Sequence, residues 1–192
     1  MATRASTEQK LLDAADHLLF RHGIAATSVD AVLERAGVSP ATLYRAYGSK
    51  DGLLVAALER RHRAWLDTWD EAVARAEDDT GRLLAVLDAL EAFRARPDGA
   101  RWCAFLASAA EYADPPAPLA AALRLDSAAL HERLRTLALP VVEGHRARAD
   151  RLADALLLVV SGELAMHLRE GYDRNGTARR VAEALVRATR AG

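Results

Sequence analysis

The sequence predicts an all-α protein of about nine helices, and three observations carry that expectation. Apolar residues recur at intervals of three and four along most of the chain. Glycine and proline are few, 11 and 6 in 192 residues. No alternating apolar run bounded by turn pairs marks a strand. The chain divides at the fourth helix, into a three-helix unit over residues 1–49 and a larger helical unit over residues 50–192.

The first helix spans about Thr7 to His22, with Leu11, Leu12, Ala15, Leu18 and Leu19 on one broad stripe and Gly23 closing it in the left-handed region. The second opens at Thr27, whose hydroxyl can cap it. Asp30 suits its first turn, and Val29, Val32, Leu33 and Ala36 give the buried face before Gly37. Ser39 is placed to cap a very short third helix beginning at Pro40, where a missing N–H costs nothing because that donor has no helical partner. Gly48 ends it and Ser49 caps the next, a long helix from about Lys50 to Glu77. Further helices are expected near 80–95, 100–113, 118–138, 147–171 and 177–190, with breaks at Pro97–Gly99, Asp114–Pro116, Pro140–Gly144 and Gly171–Gly176.

Half of the residues, 51%, are hydrophobic, so a sizeable core is expected. The single cysteine, Cys103, excludes an intrachain disulfide and a paired CxxC metal site, and it reads as a small buried apolar residue rather than a redox sensor. That fits a reducing, cytoplasmic compartment. The N-terminus carries no apolar run of signal-peptide type, and the most apolar stretch, ALLLVVSGELAM, meets Glu163 too early to span a bilayer, so no membrane contact is expected. No paired carboxylates, Ser/His/Asp set or phosphate loop appears, and the HExx string at His131-Glu132 is followed by Arg135 where a zinc protease needs histidine. An enzyme, a bound metal and a cofactor are therefore not expected. The net charge of −1 favours no partner, and residues 1–63 carry nine basic against seven acidic side chains, too weak an excess to indicate nucleic acid.

Local chemistry is more informative. In VSPATLYRAYGSK, residues 38–50, Gly37 permits a tight reversal, Val38 turns back as its apolar anchor and Ser39-Pro40 starts a rigid helix at a fixed angle to the second. So short a helix needs Leu43, with Tyr47, to hold it against its neighbours. Its other side chains, Pro40, Ala41, Thr42, Tyr44 and Arg45, are then free to face a groove. Small residues at its N-terminal end allow close approach to base edges, and apolar Pro40 and Ala41 suit a thymine methyl. Arg45 can fork onto guanine O6 and N7, although an exposed helical arginine is as readily just solvated. Lys50 and Thr27, each at a helix N-terminus, put donors where an anion is already favoured and read as phosphate clamps. Capping alone also accounts for Thr27 and Ser39.

The run LLDAADHLLFRHGIAATSVDAVLERAGVSPATLYRAYGSKDGLL, Leu11 to Leu54, resembles the N-terminal signature of the tetracycline-repressor (TetR) family of bacterial regulators, position by position and without gaps. The resemblance implies an N-terminal helix-turn-helix domain that binds double-stranded operator DNA, with Thr27, Tyr44 and Lys50 on phosphates and Pro40, Ala41, Thr42, Tyr44 and Arg45 facing bases. It also implies a homodimer joined through the eighth and ninth helices and a small-molecule effector, of unknown identity, in a C-terminal ligand-binding and dimerisation domain. Ala46 stands where the family often has a phosphate-touching histidine, Leu19 where phenylalanine is frequent, and Leu33 where alanine is. A rival reading keeps the DNA-binding unit but puts a protein partner in the effector's place.

In the second unit Trp65, Trp69, Trp102, Phe105 and Tyr112 suit a ligand cavity, since aromatics give large contact area with few rotamers; ordinary core packing explains each singly. Short reading elements usually address two half-sites about one duplex turn, roughly 34 Å, apart, which calls for a symmetric partner. Leu156, Val159, Val160, Met166, Val181 and Leu185 form apolar stripes on the last two helices, and Gly162 and Ala165 allow close approach, so these are assigned to the dimer interface.

Overall fold

The structure, a computed structural model, describes residues 4–96, 103–169 and 176–191. The described residues form nine α-helices and no strand: α1 (Arg4–His22), α2 (Val29–Ala36), α3 (Pro40–Tyr47), α4 (Lys50–Arg75), α5 (Asp79–Arg94), α6 (Ala104–Glu111), α7 (Ala117–Val141), α8 (Arg146–Met166) and α9 (Thr177–Ala191). The all-α expectation holds, and the helices stop where backbone chemistry stops them. Gly37 takes φ 64° and ψ 41° after α2. Its amide and that of Val38 turn back to the carbonyls of Glu34 and Leu33 at 3.2 Å, satisfying acceptors that the helix end leaves open.

Some local details differ from expectation. Ser28, one residue later than Thr27, caps α2 by accepting from the Ala31 amide at 3.1 Å. Pro140 does not end α7 but sits in its last turn, where losing one hydrogen bond is tolerable; the chain reverses at Glu143 and Gly144, with φ of 56° and 80°. The described part of the sixth helix is shorter than expected, beginning at Ala104.

The described residues form two compact units, residues 4–63 with 103–125, and residues 64–96 with 126–169 and 176–191. The first unit thus takes more than residues 1–49: it includes the start of α4, all of α6 and the start of α7. Its core holds Leu11, Ala15, Leu19 and Ile24 with Val32, Leu33, Leu43, Leu54 and Leu58. Polar ties reinforce it: Arg60 of α4 reaches Asp13 at 2.7 Å and also Asp16, both on α1. The Arg61 guanidinium lies over the Phe20 ring, 5.4 Å from its centroid.

In the second unit Trp69 packs among Leu83, Leu84, Val86, Leu90, Leu134, Leu152, Leu156, Val160 and Val186. The amphipathic α9 lies against α5 and α8. Among the described residues no helix is long and apolar enough to cross a membrane.

Candidate nucleic-acid interface

α3 is eight residues long, too short to persist alone, and Leu43, 0% exposed, is its one fully buried side chain. Anchoring it there, with Tyr47 half-buried one turn later, turns Pro40, Ala41, Tyr44 and Arg45 to solvent. Tyr44 is 52% exposed, a large aromatic surface turned to solvent. Pro40 occupies the first helical position, and Ser39 precedes it with N-cap backbone angles, φ −78° and ψ 154°. The Ser39 hydroxyl does not bond the helix backbone; it pairs with the Thr42 hydroxyl at 3.0 Å, so two adjacent hydroxyls meet at the N-terminal end of α3.

The two residues expected to act as phosphate clamps from the neighbouring helix starts sit differently. Thr27 is 5% exposed, and its hydroxyl donates to the Gly23 carbonyl at 2.7 Å, tying the α1–α2 link to the end of α1. Lys50 begins α4, half-buried, and its ammonium donates to the Ile24 carbonyl of that same link. An ammonium has three donors, so one such bond leaves others for an anion. Ser49 caps α4 by accepting from the Gly52 amide at 3.0 Å.

Of the expected ligand-lining residues, Trp102 lies outside the described residues, and the others separate between the two units. Trp69 is fully buried in the second, with Trp65 at 5.5 Å between ring centroids and Arg133 over its face at 4.4 Å. Trp65 is half-buried and meets Phe93 edge to face at 5.7 Å. Phe105, in the first unit, stands edge to face with His62 at 6.0 Å and lines a cleft of about 730 Å³ with Val55, Glu59, Arg63, Ala122 and Leu125. That cleft was not anticipated from sequence, because α4, which supplies Val55, Glu59, His62 and Arg63, is far along the chain from α6 and α7, which supply the rest of its lining.

Tyr112 donates to Asp51 Oδ1 at 2.7 Å within the first unit. Burial, then this bond, push its hydroxyl from the ordinary 10.0 up to about 12. The folded state therefore holds this proton more tightly than the unfolded chain does. The resulting stabilisation is fully present below about pH 10 and disappears as pH rises toward 12. Thermal melts from pH 9 to 12 should show wild type losing more stability than Tyr112→Phe; parallel curves would contradict the coupling.

On the last two helices Leu156 and Val160 are buried in the second unit's own core, while Val159 and Leu185 pack partly against it and Met166 is half-buried. Val181 is exposed, as are Gly162, Ala165, Ala184 and Ala188. Leu158, absent from the expected set, is 76% exposed. Its signal was present as an unbroken apolar run from Leu156 to Val160, of which a helix can bury only part.

Residues 11–57 match the family described as bacterial regulatory proteins, tetR family. An uncharacterised HTH-type transcriptional regulator of Bacillus subtilis, YvkB, is 41% identical over 54 residues, which are 28% of this chain and 29% of that protein, so the match spans less than a third of the relative's length. Among solved structures, sav143 of Streptomyces avermitilis, a candidate TetR-type transcriptional regulator, is 28% identical, with a TM-score of 0.79 over 95% of this chain and 97% of that one. SCO4454 of Streptomyces coelicolor, a TetR-family transcriptional regulator, has a TM-score of 0.77 at 24% identity over 97% and 94%, a likeness of fold. With the turn at Gly37 and the proline-started α3 accounted for, residues 11–57 belong to the tetR family of bacterial regulatory proteins, and the described helices share the fold of a solved TetR-type regulator.

Proposed function

We propose that the protein is a cytoplasmic transcriptional repressor that binds a palindromic DNA operator as a homodimer and releases it when a small organic molecule binds. The single observation that carries this reading is the division of α3: Leu43 is wholly buried while Pro40, Ala41, Tyr44 and Arg45 face outward together. A short helix anchored by one residue, with small groups at its N-terminal end, suits entry into a major groove. Tyr44, Thr42, Ser39 and Lys50 supply donors for phosphates, and Arg45 reads a base edge. Thr27 acts from behind, holding the link that carries Lys50's partner.

Dimerisation is supported by the surface of α8 and α9. Leu158, Gly162 and Ala165 recur at helical spacing on one, and Val181, Ala184 and Ala188 on the other, all exposed. Small residues there let a second copy approach closely. For the effector, the cleft lined by Phe105 and His62 has the volume of a typical small-molecule site, about 300–1,000 Å³, whereas the tryptophan pair is already packed. A ligand that prefers the conformation less suited to DNA weakens operator binding, and DNA weakens ligand binding by the same factor.

Gel-shift titration against duplexes selected by the wild-type protein tests the reading. Tyr44→Ala and Lys50→Ala should each weaken binding to all sequences, by about tenfold, and flatten the salt dependence by about one phosphate contact. Arg45→Ala should instead relax the preference at one base pair. Unchanged affinity in the first two, or an unchanged selected consensus in the third, would remove these residues from the interface.

A further inference from the structure

The link between α1 and α2 is held by a side chain from the far end of the same unit. The Glu111 carboxylate, at the C-terminal end of α6, accepts from the Ile24 amide at 3.2 Å through one oxygen and from the Ala25 amide at 2.7 Å through the other. Gly23, at φ 98°, turns these successive amides to the same side, the arrangement in which backbone N–H groups make an anion-binding concavity. The Ile24 carbonyl receives the Lys50 ammonium. One peptide group is therefore gripped by a carboxylate from α6 and by the cation that begins α4. The Thr27 hydroxyl, 2.7 Å from the Gly23 carbonyl and 3.2 Å from that of Leu18, ties the same link to α1.

We propose that Glu111 is a positioning residue for DNA binding: by fixing the Ile24–Ala25 amides it holds α2, α3 and the Lys50 ammonium in the arrangement that meets the duplex. The proposal rests on the DNA-binding reading above. It does not place Glu111 on DNA. A carboxylate near a polyanion disfavours binding on charge alone, so removing it should tighten the complex if charge were its whole effect. Positioning predicts the opposite sign. Without the clamp the link samples other orientations, and apparent affinity falls by the fraction of time the competent one is occupied.

The test compares wild type, Glu111→Gln and Glu111→Ala, using a duplex selected by the wild-type protein. Glutamine retains one acceptor oxygen and should weaken binding about threefold; alanine retains none and should weaken it about tenfold, with an unchanged salt slope because no phosphate contact is lost. Hydrogen exchange of the Ile24 and Ala25 amides, read without DNA, should speed up in Glu111→Ala while the helix amides of α1 and α4 keep their protection. Faster exchange with equal or tighter DNA binding would make the clamp structural only and overturn the proposal. Unchanged exchange would deny the clamp itself. A wild-type protein that selects no duplex, with the clamp intact by exchange, would sink the DNA-binding reading and this proposal with it.

Discussion

Leu158→Arg is expected to leave each subunit folded and remove most of its operator affinity. The side chain is 76% exposed, so replacing it creates no cavity and buries no charge within the subunit. In the proposed homodimer, with α8 on the two-fold surface, the same change would set like charges from both subunits against each other. Losing the second subunit loses the simultaneous binding of a second half-site, worth on the order of 10²–10⁴ in affinity. Sedimentation should report a monomer with wild-type helical content, and anisotropy a correspondingly weak complex. A persisting dimer of full affinity would move the interface elsewhere.

Leu43→Ala tests the opposite property, an interaction inside the subunit. As the one fully buried residue of α3, Leu43 connects that helix's outward face to the core. Leucine-to-alanine changes at such sites destabilise by about 2–5 kcal/mol, a large share of a domain's total stability. The loss should be local first, because an eight-residue helix has little stability of its own. The amides of Thr42 to Tyr47 should lose exchange protection, and operator affinity should fall by about a hundredfold or more, while the second unit keeps its melting behaviour. Retained affinity would mean that α3 is held by something other than Leu43.

How much of this was legible in the sequence depends on how local the determining physics is. The turn at Gly37, the proline-started α3 and the cap at Ser49 were readable because each is fixed by one or two backbone positions. The cap of α2 was read one residue early, since Thr27 and Ser28 both carry a hydroxyl and only the fold decides which faces the helix. Glu111 was invisible: its partners lie 86 and 87 residues away, and nothing about a glutamate at a helix end announces that separation. The aromatic residues do not group in the structure as the sequence suggested. Trp65 and Trp69 close on each other in one unit, while Phe105 and Tyr112 belong to the other, because contacts between distant helices carry no local periodicity. Leu156 and Val160 illustrate the same limit, since an apolar stripe is equally fit for the subunit's own core or for a partner.

The central claim is that α3 is presented twice, by a symmetric pair of subunits, to one duplex. Hydroxyl-radical and base-methylation footprinting of the selected duplex tests it most directly. The account predicts two equivalent patches of major-groove protection about one helical turn, roughly 34 Å, apart or a small multiple of it, related by a dyad, with both weakened together in Tyr44→Ala. A single unrepeated patch, or protection of the backbone with no groove contact, would contradict it.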